Sequence, residues 1–299
     1  VTTPHLTVRN SGYSGRGYAD IFSTEEKPTP LPGVTTVLGA LEKPGILQWS
    51  MNNMAAHATM HAQELLDKSE EQSYKSLQYY IGRMKESDFD DPVRDLRNSS
   101  NGVLNDLAEL GTLVHEWIEC YLTGSELPEV TRPEQAQMIN AFLAWAEEHE
   151  IEVYATECTV YGQGYAGTAD AFWSVDGVKL LNDHKTSRAI RDEHLSQLGA
   201  LGAAHTMAVP CLPGETDAVE YKGEWFRPEP LPAFTGYSVL HLRPDEYNNQ
   251  GDFVPAYCEL VTIPNEVIDA GFELFKAALA ARHGQRSLKE ARKKVGFNA

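Results

Sequence analysis

From residue 151 the hydrophobic rhythm of the chain changes. Segments 151-IEVYATECTVY-161, 165-YAGTADAFWSV-175 and 178-VKLLNDHKTS-187 alternate or run apolar between turn residues, so three consecutive strands are predicted. Residues 52 to 123 carry helical spacing almost throughout, with breaks expected near Asp91-Pro92 and from Asn98 to Gly102, and a further helix covers about 133 to 149. The first 30 residues alternate weakly and end Pro-rich, which predicts a short strand pair and a loop. In 32-PGVTTVLGALEKPGILQWS-50, Thr35 or Thr36 is the expected cap of a helix that Pro44 stops. After the three strands come a helix at about 191 to 208, a Pro-rich loop to about 233, strands near 235 to 242 and 253 to 263, and a last helix opening at Pro264-Asn265. The predicted class is α/β, in one domain of residues 1–299: a helical N-terminal elaboration over 32–123, a core over 151–283 and a tail over 284–299.

Composition narrows the setting. A chain of 299 residues with 42% hydrophobic content can build a full core. No run of 18 apolar residues occurs, and VTTPHLTVRN lacks the basic-then-apolar order of a secretory signal, so a soluble cytoplasmic protein without a membrane partner is expected. Cys120, Cys158, Cys211 and Cys258 form no CxxC pair and match no zinc or iron–sulfur spacing. The net charge of −18 disfavours a polyanionic partner at long range. Two stretches run against it. Arg282, Arg286, Lys289, Arg292, Lys293 and Lys294 make the C-terminus basic, and Tyr74, Lys75, Tyr79, Tyr80, Arg83 and Lys85 interleave rings with cations. Each reads either as a solvated helix face or as a nucleic-acid contact.

The chemistry concentrates in the second hairpin. Asp176-Gly177 is a favoured two-residue type I′ turn, and Val175 opposite Val178 then puts Asp170 opposite Asp183 and Thr168 opposite Lys185. Alternation places Asp183, Lys185 and Asp170 on one face, with Asp170 and Asp183 at a Cβ separation of about 4.5–5.5 Å. Two opposed carboxylates repel, and a divalent cation with oxygen preference, Mg²⁺ or Mn²⁺, removes the penalty. A lysine aimed at the same point can orient or deprotonate a water, which is equipment for phosphodiester hydrolysis. His184 should turn its ring away from Asp183, leaving its backbone carbonyl as the better candidate ligand.

Asp170 followed by Asp183-His184-Lys185 resembles the signature of the PD-(D/E)xK nucleases, in the form found in RecB-like enzymes and phage exonucleases. Gly167-Thr168-Ala169-Asp170, the Thr186-Ser187 that follows the lysine, 111-GTLVH-115 and Gln197 are similar to further motifs of that family in the same order, as is PGVTTVLG. The resemblance spans roughly residues 32 to 200. It implies a restriction-endonuclease-like core with a central mixed sheet flanked by helices, and a metal-dependent deoxyribonuclease with DNA as partner. The implied activity is an exonuclease of phage-type recombination or DNA processing, acting in the host cytoplasm if phage-encoded and working beside a recombination or single-strand-binding protein. It assigns catalysis to Asp170, Asp183, Lys185 and Gln197, and the metal to His115, Asp170, Asp183 and His184. Glu157 corresponds to a family acid and faces Asp170 only if the Gly162-Gln163-Gly164 loop sets the register; Glu119 shares the helical face of His115. Leu201 stands where many relatives have a tyrosine that contacts DNA. The cysteines depart from the pattern of the CRISPR-adaptation relatives, so no iron–sulfur cluster is expected. A structure-specific endonuclease and a catalytically inactive DNA-binding or assembly subunit are the alternatives.

Overall fold

The structure, a computed structural model, describes residues 6–8, 15–25, 29–41, 44–63, 91–248 and 250–297. The Tyr74 to Lys85 stretch lies outside the described residues. The chain divides into two compact units, Val1–Leu41 with Leu113–Ala299, and Glu42–Thr112. The smaller unit contains α2 (Pro44–Met60) and the first part of α3 (Asp91–Thr123). α3 runs without interruption through Asn98 to Gly102, where a break was predicted: Asn and Ser lower helix propensity by tenths of a kcal/mol each and Gly102 by about 1 kcal/mol, too little to end a helix of 33 residues.

The larger unit is a mixed α/β assembly whose central sheet of eight strands is flanked by helices. Three short strands, β1 (Thr7–Val8), β2 (Gly17–Tyr18) and β3 (Leu31–Pro32), lead into α1 (Val34–Leu38). The cap of α1 is Gly33, not Thr35 or Thr36; Thr36 instead donates its hydroxyl to the Arg16 carbonyl at 2.7 Å. After α3 and α4 (Pro133–Glu147) come β4 (Ile151–Gly162), β5 (Tyr165–Val175) and β6 (Val178–Lys185), close to the predicted bounds. α5 (Asp192–Gly202) ends earlier than predicted, and the segment read as a Pro-rich loop holds β7 (Thr206–Pro210), β8 (Val219–Tyr221) and β9 (Glu224–Glu229). Pro210 ends β7 and Pro228 interrupts β9, and β8 is only three residues long, so none of the three shows a clear period. β10 (Gly236–Arg243) follows. The strand predicted near 253 to 263 is two: β12 (Phe253–Val254), which pairs with β11 (Glu246–Tyr247), and β13 (Tyr257–Ile263). α6 (Asn265–Lys294) closes the chain.

The sheet order is β13-β10-β6-β5-β4-β7-β9-β8, antiparallel except where β10 runs parallel to β6. Its two faces carry different layers. Phe172, Leu181 and Val239 point to one face, where Leu198 and Leu201 of α5, Ile268 and Phe275 of α6 and Val34 and Val37 of α1 close over them. Gly167 permits this approach, because a Cβ there would meet Leu201 Cδ2 at 2.7 Å and Val34 Cγ2 at 2.9 Å. The other face carries Trp173, packed on Trp145 of α4 at a ring separation of 5.9 Å, and the layer continues through Phe142 to Trp117 of α3. Burying a side chain such as Phe172 contributes about 3 kcal/mol. Among the described residues no helix is long and apolar enough to cross a membrane.

Candidate active site

The site begins with a turn. Asp176 and Gly177 have φ of 51° and 81°, as a type I′ turn requires, and the Asp176 carboxylate is held by the Glu150 amide at 2.9 Å and His149 Nδ1 at 2.6 Å. The turn sets the predicted register, Val175 opposite Val178 through Ala171 opposite Asn182. The β5–β6 ladder stops there. Beyond Asn182, β6 keeps its pairing with β10 alone as far as Lys185 opposite His241, while β5 stays with β4. Thr168 therefore does not pair with Lys185; its hydroxyl meets that of Tyr18 at 2.9 Å.

Asp170 fills the notch where the strands part. Its Oδ2 accepts the His184 amide at 2.6 Å, a bond that β5 would otherwise supply from its backbone. The side chains of β6 divide between the two faces of the sheet. Asp183 goes to the α5 face, where its Oδ1 accepts from Gln197 Nε2 at 3.0 Å and its Oδ2 pairs with the Lys185 ammonium. His184 goes to the opposite face, edge-on to Trp173 at 5.9 Å and to His115 of α3 at 5.4 Å. Asp170 links the halves: His115 Nδ1 lies 3.7 Å and His184 Nδ1 3.9 Å from its Oδ2.

Donor atoms of His115, Asp170 and His184 all fall within 4.8 Å of one another, close enough to share one ion. Asp183 is not in this group; its carboxylate meets Gln197 and Lys185 on the α5 face. The ring of His184 does turn away from Asp183, but it turns toward Asp170 and His115, so the imidazole becomes a candidate donor beside the carbonyl. Glu157 lies in line with Asp170 across the β4–β5 ladder, between Thr156 opposite Ala171 and Cys158 opposite Ala169, because Gly162 pairs with Tyr165 around a two-residue turn. Glu157 has φ of 45°, a left-handed conformation that a strand residue holds only at a cost. Glu119 is buried, and its Oε1 has no hydrogen-bond partner.

These contacts sort the charges. Burial alone would raise Asp170, but His115, Lys185, His184 and the His184 amide together hold it below the ordinary carboxylate value. Burial, with the Asp170 charge added and Lys185 opposing, lifts Asp183 to about 7. Burial and the carboxylates of Asp170, Glu119 and Asp183 lift Glu157 to about 9. Glu119 is raised too, chiefly by burial. Burial drops His184 to about 3 and lowers His115, so both imidazoles are neutral near pH 7 and able to donate a lone pair. Burial opposes the Lys185 ammonium, yet Asp183 and Asp170 outweigh it and raise its pKa, so Lys185 is a fixed cation. A notch with surplus carboxylate, neutral imidazoles and a buried acceptor without a donor fits a divalent cation.

The basic C-terminus forms the last turns of α6: Arg282 and Arg286 are half-buried, Lys289, Arg292, Lys293 and Lys294 are exposed, Arg286 pairs with Glu290 at 3.0 Å, and the Arg292 guanidinium lies 5.3 Å from the Phe297 ring centre. Sequence reasoning missed the end of the β5–β6 ladder at Ala171 and the seat of His184 against Trp173. The aromatic at 173, three residues before the Asp176-Gly177 turn, was the available signal for that seat.

No family model matches the chain, and no curated protein matches it. A solved structure described as LHK-Exo in complex with dAMP is similar to it at 10% sequence identity, over 64% of this chain and 93% of that one, with a TM-score of 0.29. That likeness is too slight for any conclusion to rest on it.

Proposed function

We propose that the protein is a metal-dependent deoxyribonuclease of the PD-(D/E)xK type, with a restriction-endonuclease-like core. The observation that carries this reading is the meeting of Asp170, Asp183 and Lys185 at one notch, with His115 and Gln197 bonded or adjacent to them. His115, Asp170 and Asp183 would hold Mg²⁺ or Mn²⁺, with the ring or carbonyl of His184 completing the set; imidazole donors favour Mn²⁺ of the two. When bound, the cation supplies stabilisation of the negative charge that grows on the phosphate during hydrolysis. To hold the metal, Asp183 would have to leave Lys185, and Gln197 would keep it oriented through Oδ1. Lys185, a cation rather than a base in the resting site, then donates to a phosphate oxygen or to the attacking water. Water adds across the P–O bond, leaving one phosphomonoester and one hydroxyl.

An exonucleolytic mode, a role in recombination or DNA processing, and a partner protein from those systems rest on the motif resemblance. End-labelled linear duplex and closed circular DNA, incubated with Mg²⁺ or Mn²⁺, test the reading. Degradation of the linear form alone is expected. Cutting of circles would instead indicate an endonuclease, and intact DNA in both would refute the reading.

A further inference from the structure

The β11–β12 hairpin presents two aromatic rings to solvent while being braced at both ends. Tyr247 is 67% and Phe253 56% exposed, and the rings meet edge to face at 5.8 Å. At the described part of the tip, Asn248 Oδ1 accepts the amides of Gln250 and Asp252 at 2.9 Å each, and its Nδ2 donates to Asp252 Oδ2 at 3.1 Å. At the root, Asp245 accepts from Gln137 Nε2 at 2.9 Å and from the Ala256 amide at 2.7 Å. These hydrogen bonds fix the backbone of the hairpin, and the two rings brace each other on it.

The same root is tied to the catalytic strand. Arg188, three residues beyond Lys185, donates to the Tyr247 carbonyl at 3.0 Å and lies 3.5 Å from Glu246 Oε2. Arg243 pairs with that Glu246 at 2.6 Å and also donates to the Thr186 carbonyl. Three residues of chain span at most roughly 10 Å, and the Arg188 side chain bridges from their end to the backbone of Tyr247, so the root of the hairpin stands within a few nucleotides' length of Lys185. The Arg188 side chain is 57% exposed, which leaves a cation along that path.

We propose that Tyr247 and Phe253 form a stacking platform for unpaired nucleobases of the DNA strand held at the Asp170–Lys185 site. The assignment rests on the nuclease reading above. Every base offers a π face, so the platform takes single-stranded DNA without sequence preference. A paired duplex, whose bases are already stacked, gains nothing from it.

The test uses the full chain with Ca²⁺ in place of Mg²⁺ and a single-stranded oligonucleotide carrying 2-aminopurine at successive positions. The Tyr247→Ala/Phe253→Ala variant should bind at least about 20-fold more weakly than the wild type, since each stacked ring is worth about 5-fold or more. Tyr247→Phe/Phe253→Tyr should retain wild-type binding. Hydrolysis of a p-nitrophenyl ester of thymidine 5′-phosphate with Mn²⁺, a substrate too short to reach the hairpin, should be the same in all three. Unchanged oligonucleotide binding by the alanine variant would overturn the proposal and leave the hairpin as a protein-binding surface. Loss of ester hydrolysis in that variant would overturn it too, because the damage would then lie at the site. If the wild type binds DNA but hydrolyses neither ester nor DNA, the nuclease reading fails, and with it the assignment of the platform to a nuclease's strand.

Discussion

Replacing Asp183 by asparagine should stabilise the metal-free protein, although it removes one partner of a buried ion pair. Asp183 is fully buried, and burial together with Asp170 places its pKa at about 7, against 3.8 for an ordinary aspartate. Between those values the folded chain holds a proton that the unfolded chain has lost. Stability therefore falls as pH rises through that window, by up to about 1.4 kcal/mol per pH unit. By pH 8 the loss reaches at most about 4 kcal/mol; because Asp170 and Glu157 share the same crowding, a single substitution should recover about 2 kcal/mol of it. Asparagine is close in shape, keeps an acceptor for Gln197 and does not ionise. Urea denaturation in EDTA at pH 8 should show Asp183→Asn with the higher midpoint, and the two proteins should converge toward pH 4. With Mn²⁺ at 100 times the wild-type Kd the order should reverse: the wild type gains about 2.7 kcal/mol, and a variant that loses a ligand and with it about 100-fold in affinity gains only about 0.4 kcal/mol. A less stable Asp183→Asn at pH 8 in EDTA would show that attraction to Lys185 outweighs burial and repulsion, and would refute the charge ordering described for the site.

The opposite substitution should behave oppositely: Lys185→Met leaves two buried carboxylates without their cation and should cost about 3–5 kcal/mol, read as a lower melting temperature in EDTA at pH 8. Glu157→Gln should flatten the fall in metal-free stability between pH 7 and 9, where a carboxyl at about 9 is still losing its proton; a slope equal to wild type would mean that Glu157 ionises normally. His184→Phe keeps a ring against Trp173 but removes both nitrogens, so Mn²⁺ affinity measured by electron paramagnetic resonance should drop at least about tenfold. Unchanged affinity would assign the carbonyl, not the ring, as the ligand.

Much of this site is written locally. Asp176-Gly177 dictates a type I′ turn, and the turn fixes the register from Val175 opposite Val178 to Ala171 opposite Asn182; the expected pairing of Asp170 with Asp183 lies one step beyond the end of that ladder, where Asp170 accepts the His184 amide instead. Where the ladder ends is not local: it depends on β6 keeping β10 as its partner while β5 keeps β4, a competition that involves strands more than 50 residues apart in sequence. For the same reason alternation sent the His184 ring to the correct face, but what waits there, His115 and Trp173, is set by the packing of α3. The position of Glu157 hinged on the Gln163-Gly164 turn, whose geometry two glycines leave open. β8 and β9 were missed because three residues are too few to show a period in β8 and Pro228 interrupts the run of β9.

The most direct test of the account is Mn²⁺-dependent release of acid-soluble nucleotide from linear duplex DNA by wild type and by Asp170→Asn, with folding of both checked by circular dichroism. Asp170 touches both histidines and the His184 amide, so the account predicts hydrolysis by the wild type that EDTA abolishes, and a loss of at least about 100-fold in the variant. Comparable rates in the two proteins, or hydrolysis that persists in EDTA, would contradict it.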